Sequence, residues 1–234
     1  KLDAFLAGER TFDVLFAPTE RSSLAGFSPT QNHVLMNVLD NVRNRISVLT
    51  HTDGKWQSEP LPGLPEFGTI SASAIDDETC DDYWLTITDY LTPTSLYLGT
   101  IGPTSNSQPP LRKLKSLPSF FDASGLQVEQ REAISKDGTR IPYFLVGKKG
   151  LPRNGKNPTL LYGYGGFEVS MTPSYSAGVG TSWLSKGGVY AVANIRGGGE
   201  FGPKWHQAAL KQDRNKCYED FAAVAKDLIA QKIT

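Results

Sequence analysis

The residues with the clearest chemical potential lie in two glycine-rich turns, each fed by a short apolar run. The first reads Thr159-Leu160-Leu161-Tyr162-Gly163-Tyr164-Gly165-Gly166-Phe167. A strand that opens into such a loop brings backbone N–H groups and a phenol close to a ligand, because glycine has no Cβ and tolerates positive φ. The second run, Val189 to Arg196, enters Gly197-Gly198-Gly199-Glu200-Phe201-Gly202. Two strands that both end in glycine loops suggest the ligand-binding edge of an α/β sheet.

Acyl transfer is one chemistry that needs such loops. Its tetrahedral intermediate carries an oxyanion that must meet fixed donors away from water. In α/β-hydrolases one donor comes from the loop after an early strand and the other from the residue after the nucleophile. Tyr164 stands where the first donor belongs, with Gly165 and Gly166 clearing space around it; the plainer alternative is a core tyrosine on a tight turn. Gly197-x-Gly199-x-x-Gly202 also has the form of a dinucleotide fingerprint. That fingerprint expects an acid about 20 residues on, at the end of the next strand. Glu219 and Asp220 have the separation but open a helix, so no cofactor is expected. No Gly-x-Ser-x-Gly occurs in the sequence. His33 and His51 fall in a strand-rich half, and His206, beside Trp205, reads as a packed or hydrogen-bonded histidine. The order in this fold is Ser, Asp/Glu, His, so nucleophile and base are expected after this segment and not in this chain.

The elements that must position these loops change character along the sequence. Residues 1 to about 122 read as all-β, with strands expected at Thr11–Ala17, Ser22–Phe27, His33–Leu39, Arg45–Thr50, Thr69–Ile75, Tyr83–Thr88 and Ser95–Leu98. The pair at 33–39 and 45–50 returns at 83–89 and 95–100, shifted by about 50 residues, which is the spacing of β-propeller blades. An antiparallel sandwich is the alternative. Two to three blades cannot close a ring, so further blades are expected before residue 1.

From about residue 123 the order becomes α/β. Val128–Ser135 and Arg140–Val146 read as a hairpin with Asp137-Gly138 at its turn, and Pro142 suggests an edge strand. A helix is expected around Ser182–Ser185, ended by Gly187-Gly188. Another runs from Pro203 through Leu210. A last helix has an apolar stripe at Phe221, Val224, Ala225, Leu228 and Ile229.

Lys and Arg number 24 and Asp and Glu 24, so no one-signed field argues for nucleic acid or a membrane surface. Cys80 and Cys217 are far apart and form neither a disulfide framework nor a metal cluster; no metal is expected. There is no run of 18 apolar residues and no signal-peptide pattern. A cytoplasmic location is expected, with the periplasm as the alternative.

These motifs together resemble the prolyl oligopeptidase family of serine peptidases. The resemblance is carried by Leu161-Tyr162-Gly163-Tyr164-Gly165-Gly166-Phe167, by Thr172-Pro173-x-Tyr175-Ser176 and by Ala191 through Gly202. Trp205-His206, Cys217-Tyr218-Glu219-Asp220-Phe221 and Ser135 through Pro142 fit the same pattern. It implies the last two to three blades of a seven-bladed β-propeller over residues 1–122. Residues 123–234 would then be the first part of an α/β-hydrolase domain. It implies cleavage of short proline-containing peptides after proline. Tyr164 would supply the oxyanion-hole hydroxyl and Phe167 would line the substrate pocket, while Gly165, Gly166, Arg196 and Glu200 shape the cleft. It also implies that these residues alone are inactive and act with the remainder of the same polypeptide or a companion fragment. Two alternatives stay open: a noncatalytic propeller interaction module, and a related oligopeptidase that cuts after basic residues.

Overall fold

The computed structural model describes residues 2–102 and 111–234. A short helix α1 (Leu2–Leu6) precedes eight strands: β1 (Ser22–Pro29), β2 (His33–Asp40), β3 (Arg43–Thr52), β4 (Lys55–Pro60), β5 (Thr69–Ala74), β6 (Asp82–Thr88), β7 (Ser95–Thr100) and β8 (Arg112–Ser116). They form two four-stranded antiparallel sheets in sequence order, β1-β2-β3-β4 and β5-β6-β7-β8. The repeat seen in the sequence is therefore a repeated sheet.

Two tight turns set the register of the first sheet. Asp53 and Gly54, both at positive φ, join Thr52 to Lys55 as a two-residue hairpin needs. Asn41 and Val42 do the same between Asp40 and Arg43. Val42 is a β-branched residue at φ +63, an unfavourable backbone state. Its side chain is wholly buried against the third sheet, and that burial holds the turn.

The third sheet contains β9 (Leu126–Ile134), β10 (Arg140–Lys148), β11 (Thr159–Gly163) and β12 (Val189–Ala193), in the order β11-β12-β10-β9. β11 and β12 are parallel, from Thr159 opposite Val189 to Gly163 opposite Ala193. The connection between them carries α2 (Ala177–Ser182) and a 3-10 turn, Leu184–Lys186, closed by Gly187 in the left-handed region. After β12 come α3 (Pro203–Gln207), with Pro203 in its first turn, and α4 (Asn215–Ala230).

Alternation along β10 divides the interior. Ile141, Tyr143 and Leu145 face Val224 and Leu228 of α4. Phe144 and Val146 face Val42, Tyr90 and Phe201. A separate core of Leu35, Ile46, Val48, Ile70 and Leu85 lies between the first two sheets.

Several expectations are corrected. Thr11–Ala17 is not a strand; Phe12 and Val14 are exposed and no strand takes up its backbone hydrogen bonds. β4 and β8 went unread because Lys-Trp-Gln-Ser-Glu-Pro and Arg-Lys-Leu-Lys-Ser are exposed edges with no apolar alternation. Pro142 lies on an interior strand, not an edge. Its carbonyl accepts from Asn194 N at 2.9 Å just past the last β10–β12 pair, so its missing N–H falls where that ladder stops. The helix expected at Ser182–Ser185 divides there into the end of α2 and the 3-10 turn. α3 ends at Gln207 rather than Leu210. The buried face of α4 is Cys217, Asp220, Ala223, Val224 and Leu228, rotated from the expected stripe, and Ile229 is exposed.

Candidate active site

The parallel pair β11–β12 sends both glycine loops out from the same end of the sheet. That C-terminal edge is where open α/β sheets bind ligands. Tyr164 follows β11 directly, is 42% exposed, and its hydroxyl has no hydrogen-bond partner among the described residues. Its ring lies over Gly166, where an added Cβ would come within 3.6 Å of Cε1 and 4.0 Å of the hydroxyl. Gly165 has φ +60, and a Cβ there would sit 2.5 Å from Ile195 Cγ1 and 2.8 Å from the Arg196 carbonyl. Only glycine permits this closeness of the two loops.

Phe167 is 86% exposed and, like Glu168, has positive φ. Two consecutive non-glycine residues in that region are strained. One contact to the second loop and one within the first hold them there. Glu168 N donates to the Gly197 carbonyl at 3.3 Å, and Val169 N to the Gly166 carbonyl at 3.0 Å. His206 Nδ1 lies 2.6 Å from that same Gly197 carbonyl and 3.1 Å from Glu168 N. His206 is thus engaged in loop structure, as its place beside Trp205 suggested.

Arg196 and Glu200 are buried beneath the loop surface. Arg196 meets Asp220, which is itself fully buried: Nε to Oδ2 is 2.9 Å, Nη2 to Oδ1 is 2.6 Å, and the Arg196 backbone N reaches Oδ2 at 3.0 Å. Ser135 Oγ donates to Asp220 Oδ1 at 2.6 Å, and Arg196 Nη1 reaches Asp137 Oδ2 at 2.5 Å. Burial pulls the guanidinium's pKa down, but hydrogen bonds to Asp220 and Asp137 outweigh it and keep the group charged. The same guanidinium holds the Asp137 carboxyl well below its usual range. Glu200 Oε1 accepts from Met171 N at 2.9 Å and Asn194 Nδ2 at 3.2 Å, while Oε2 is buried without a hydrogen-bond partner among the described residues. Burial raises its pKa. These two residues tie the second loop to α4, to the hairpin loop at 135–139 and to the segment at 168–172. Sequence reasoning missed Asp220 as the partner of Arg196 and Ser135; it stood out only as an acid opening a helix and within the Cys217–Phe221 motif.

A cleft of about 1360 Å³ opens between this edge and the first two sheets. Its walls include Leu24 and Ile70 on one side and Glu168, Phe201 and Trp205 on the other. Of the two glycine loops, Glu168, Ser170, Gly199, Phe201 and Gly202 line this cleft, whereas Tyr164, Gly165, Gly166, Phe167, Arg196 and Glu200 are not among its lining residues. Among the described residues no group of three or more His, Cys, Asp or Glu could hold a metal ion, and no helix is long and apolar enough to cross a membrane.

An α/β edge with paired glycine loops beside a large cleft is a ligand-binding setting, and comparison with known proteins gives the family. Residues 173–234 match the prolyl oligopeptidase family. An uncharacterized peptidase, y4nA, of Sinorhizobium fredii is 48% identical over 94% of this chain and 30% of its own length. A prolyl endopeptidase of Elizabethkingia meningoseptica is 41% identical over 70% of the chain and 22% of its own length. A solved post-proline cleaving enzyme from Rickettsia typhi superposes with a TM-score of 0.82 at 36% identity, covering 97% of this chain and 32% of that one. The chain belongs to the prolyl oligopeptidase family of peptidases and spans about a third or less of the length of these relatives.

Proposed function

We propose that this chain is part of a serine peptidase that cleaves short proline-containing peptides after proline, with Tyr164 donating its hydroxyl to the oxyanion. In this reading the two repeated sheets within residues 1–122 are propeller blades, and residues 123–234 are the first part of an α/β-hydrolase domain. The observation that carries it is the Tyr164 phenol, exposed and without an internal partner, on a Gly-Gly loop at the C-terminal edge of the parallel pair. A phenol held there can donate to a developing negative charge without first breaking a bond of its own. Phe167, displayed in a strained backbone state, offers an apolar face to a substrate ring. Gly165 and Gly166 let the loop approach; Arg196 and Glu200 shape the cleft from beneath by fixing the loop behind it. The nucleophile and base lie outside these residues, and no metal or cofactor is needed for the chemistry.

The test is hydrolysis of matched reporter peptides with proline or arginine at the cleaved position, by the full-length gene product. Cleavage after proline alone is expected. Cleavage after arginine would assign the chain to an oligopeptidase for basic residues, and cleavage of neither would favour a noncatalytic module.

A further inference from the structure

We propose that Arg214 is a positioning residue for Tyr164, acting through the carbonyl of Gly165. Arg214 occupies the N-cap of α4 with helical φ and ψ, and its side chain makes no capping bond. A helix N-terminus is the positive end of the dipole and favours Ser, Thr, Asp or Asn. The backbone follows from the preceding 3-10 turn, where Arg214 N donates to the Lys211 carbonyl at 3.1 Å, and the side chain, unfavourable beside the helix dipole, finds a tertiary partner. Its guanidinium turns back across the loop, and Nη1 donates to the Gly165 carbonyl at 2.5 Å.

The backbone is cut to fit that contact. Gly197 has φ +97, and a Cβ there would strike the Gly165 carbonyl oxygen and lie 3.0 Å from Arg214 Nη1. The Gly165 oxygen belongs to the Gly165–Gly166 peptide, and Gly166 is the surface over which the Tyr164 ring lies. Rotation of that peptide would move the support of the phenol. The ring has no hydrogen bond of its own to resist such movement, so its position depends on the peptide that Arg214 holds. A displacement of about 1 Å at a reacting group can cost on the order of a hundredfold in rate.

The proposal rests on Tyr164 being the oxyanion donor, and the test separates the two claims. Arg214→Gln, Arg214→Lys, Tyr164→Phe and the Arg214→Gln/Tyr164→Phe pair are made in the full-length gene product. Each is assayed on the proline reporter with its melting temperature recorded. Arg214→Gln is expected to lower kcat about 10- to 100-fold with KM changed less than about twofold. Arg214→Lys keeps the charge and a donor but not the planar fork, and is expected to lose only about threefold. In the Tyr164→Phe background the glutamine change is expected to cost less than about twofold more.

A glutamine effect that persists in full without the phenol, a loss confined to KM, or no loss would overturn the positioning role while leaving Tyr164 as the donor. A Tyr164→Phe variant with unchanged kcat would remove the donor assignment, and the positioning role with it. Should Arg214→Gln fail to fold, Arg214→Lys decides, alone and in an Arg214→Lys/Tyr164→Phe pair. A kcat deficit that vanishes beside Tyr164→Phe supports the proposal; one that persists, or no deficit, overturns it.

Discussion

Asp220 accepts from Ser135 Oγ and from the N, Nε and Nη2 of Arg196, so every acceptor direction of this buried carboxylate is engaged. Removing one partner of such a pair costs far more than the pair contributes net, because a buried charge is left uncompensated. Asp220→Asn is expected to lower stability by about 3–5 kcal/mol in urea denaturation. Two other carboxyls in this region respond to pH in opposite senses. Asp137 is held below its ordinary value of 3.8 by Arg196, so its contribution is complete above about pH 4 and fades as pH falls. Glu200 is raised above 4.5 by burial, so the unfolded chain ionises first and the native state loses ground as pH climbs past that value. Urea melts from pH 4 to 7 should show Glu200→Gln gaining on the parent with rising pH; parallel curves would contradict this. Arg196 and Glu200 stood out in the sequence because the glycine loop frames them. Asp220 did not, because a carboxylate early in a helix is usually a favourable surface charge.

At the scale of elements, apolar alternation made the inner strands readable and left the edges silent. β2, β3, β6 and β7 each carry buried or half-buried apolar residues, whereas β4 and β8 have only exposed positions. The buried face of α4 is displaced from the apolar stripe because it includes Cys217 and the carboxylate Asp220, which an apolar pattern does not count. Pro142 misled for a related reason: sequence shows a missing donor but not where a neighbouring ladder ends. The Asn41-Val42 turn shows packing overriding local preference. Valine is a poor residue for positive φ, yet its isopropyl group is wholly buried in the cluster that includes Phe144 and Val192. Val42→Ala keeps the strain and loses about two buried methylene equivalents, so a loss of about 2 kcal/mol is expected in thermal or urea unfolding. A change below about 0.5 kcal/mol would mean that the turn is not held by that contact.

Across the whole molecule, polar and apolar contacts seat the first two sheets on the third. Arg21 pairs with Glu132, Arg43 Nε donates to Gln130 Oε1 at 2.6 Å, and Thr69 Oγ1 donates to the Pro173 carbonyl at 2.7 Å. Phe144, fully buried, meets Phe67 edge-on and Tyr90 at a tilt. The apolar part should dominate. Phe144→Ala is expected to cost about 3–5 kcal/mol, while a double-mutant cycle on Arg21 and Glu132 should give less than about 1 kcal/mol, shrinking with salt. The repeat near 50 residues made two successive sheets legible, and the glycine loops marked where the parallel pair of the third sheet ends. The seating was not, because Arg21, Arg43 and Gln130 carry no pattern until the sheets meet. The central claim is that the Tyr164 phenol stabilises the oxyanion at this edge. Its most direct test is kcat of the full-length gene product and its Tyr164→Phe variant on a proline reporter peptide. The account predicts a fall on the order of a hundredfold at little-changed KM and melting temperature; equal kcat values would contradict it.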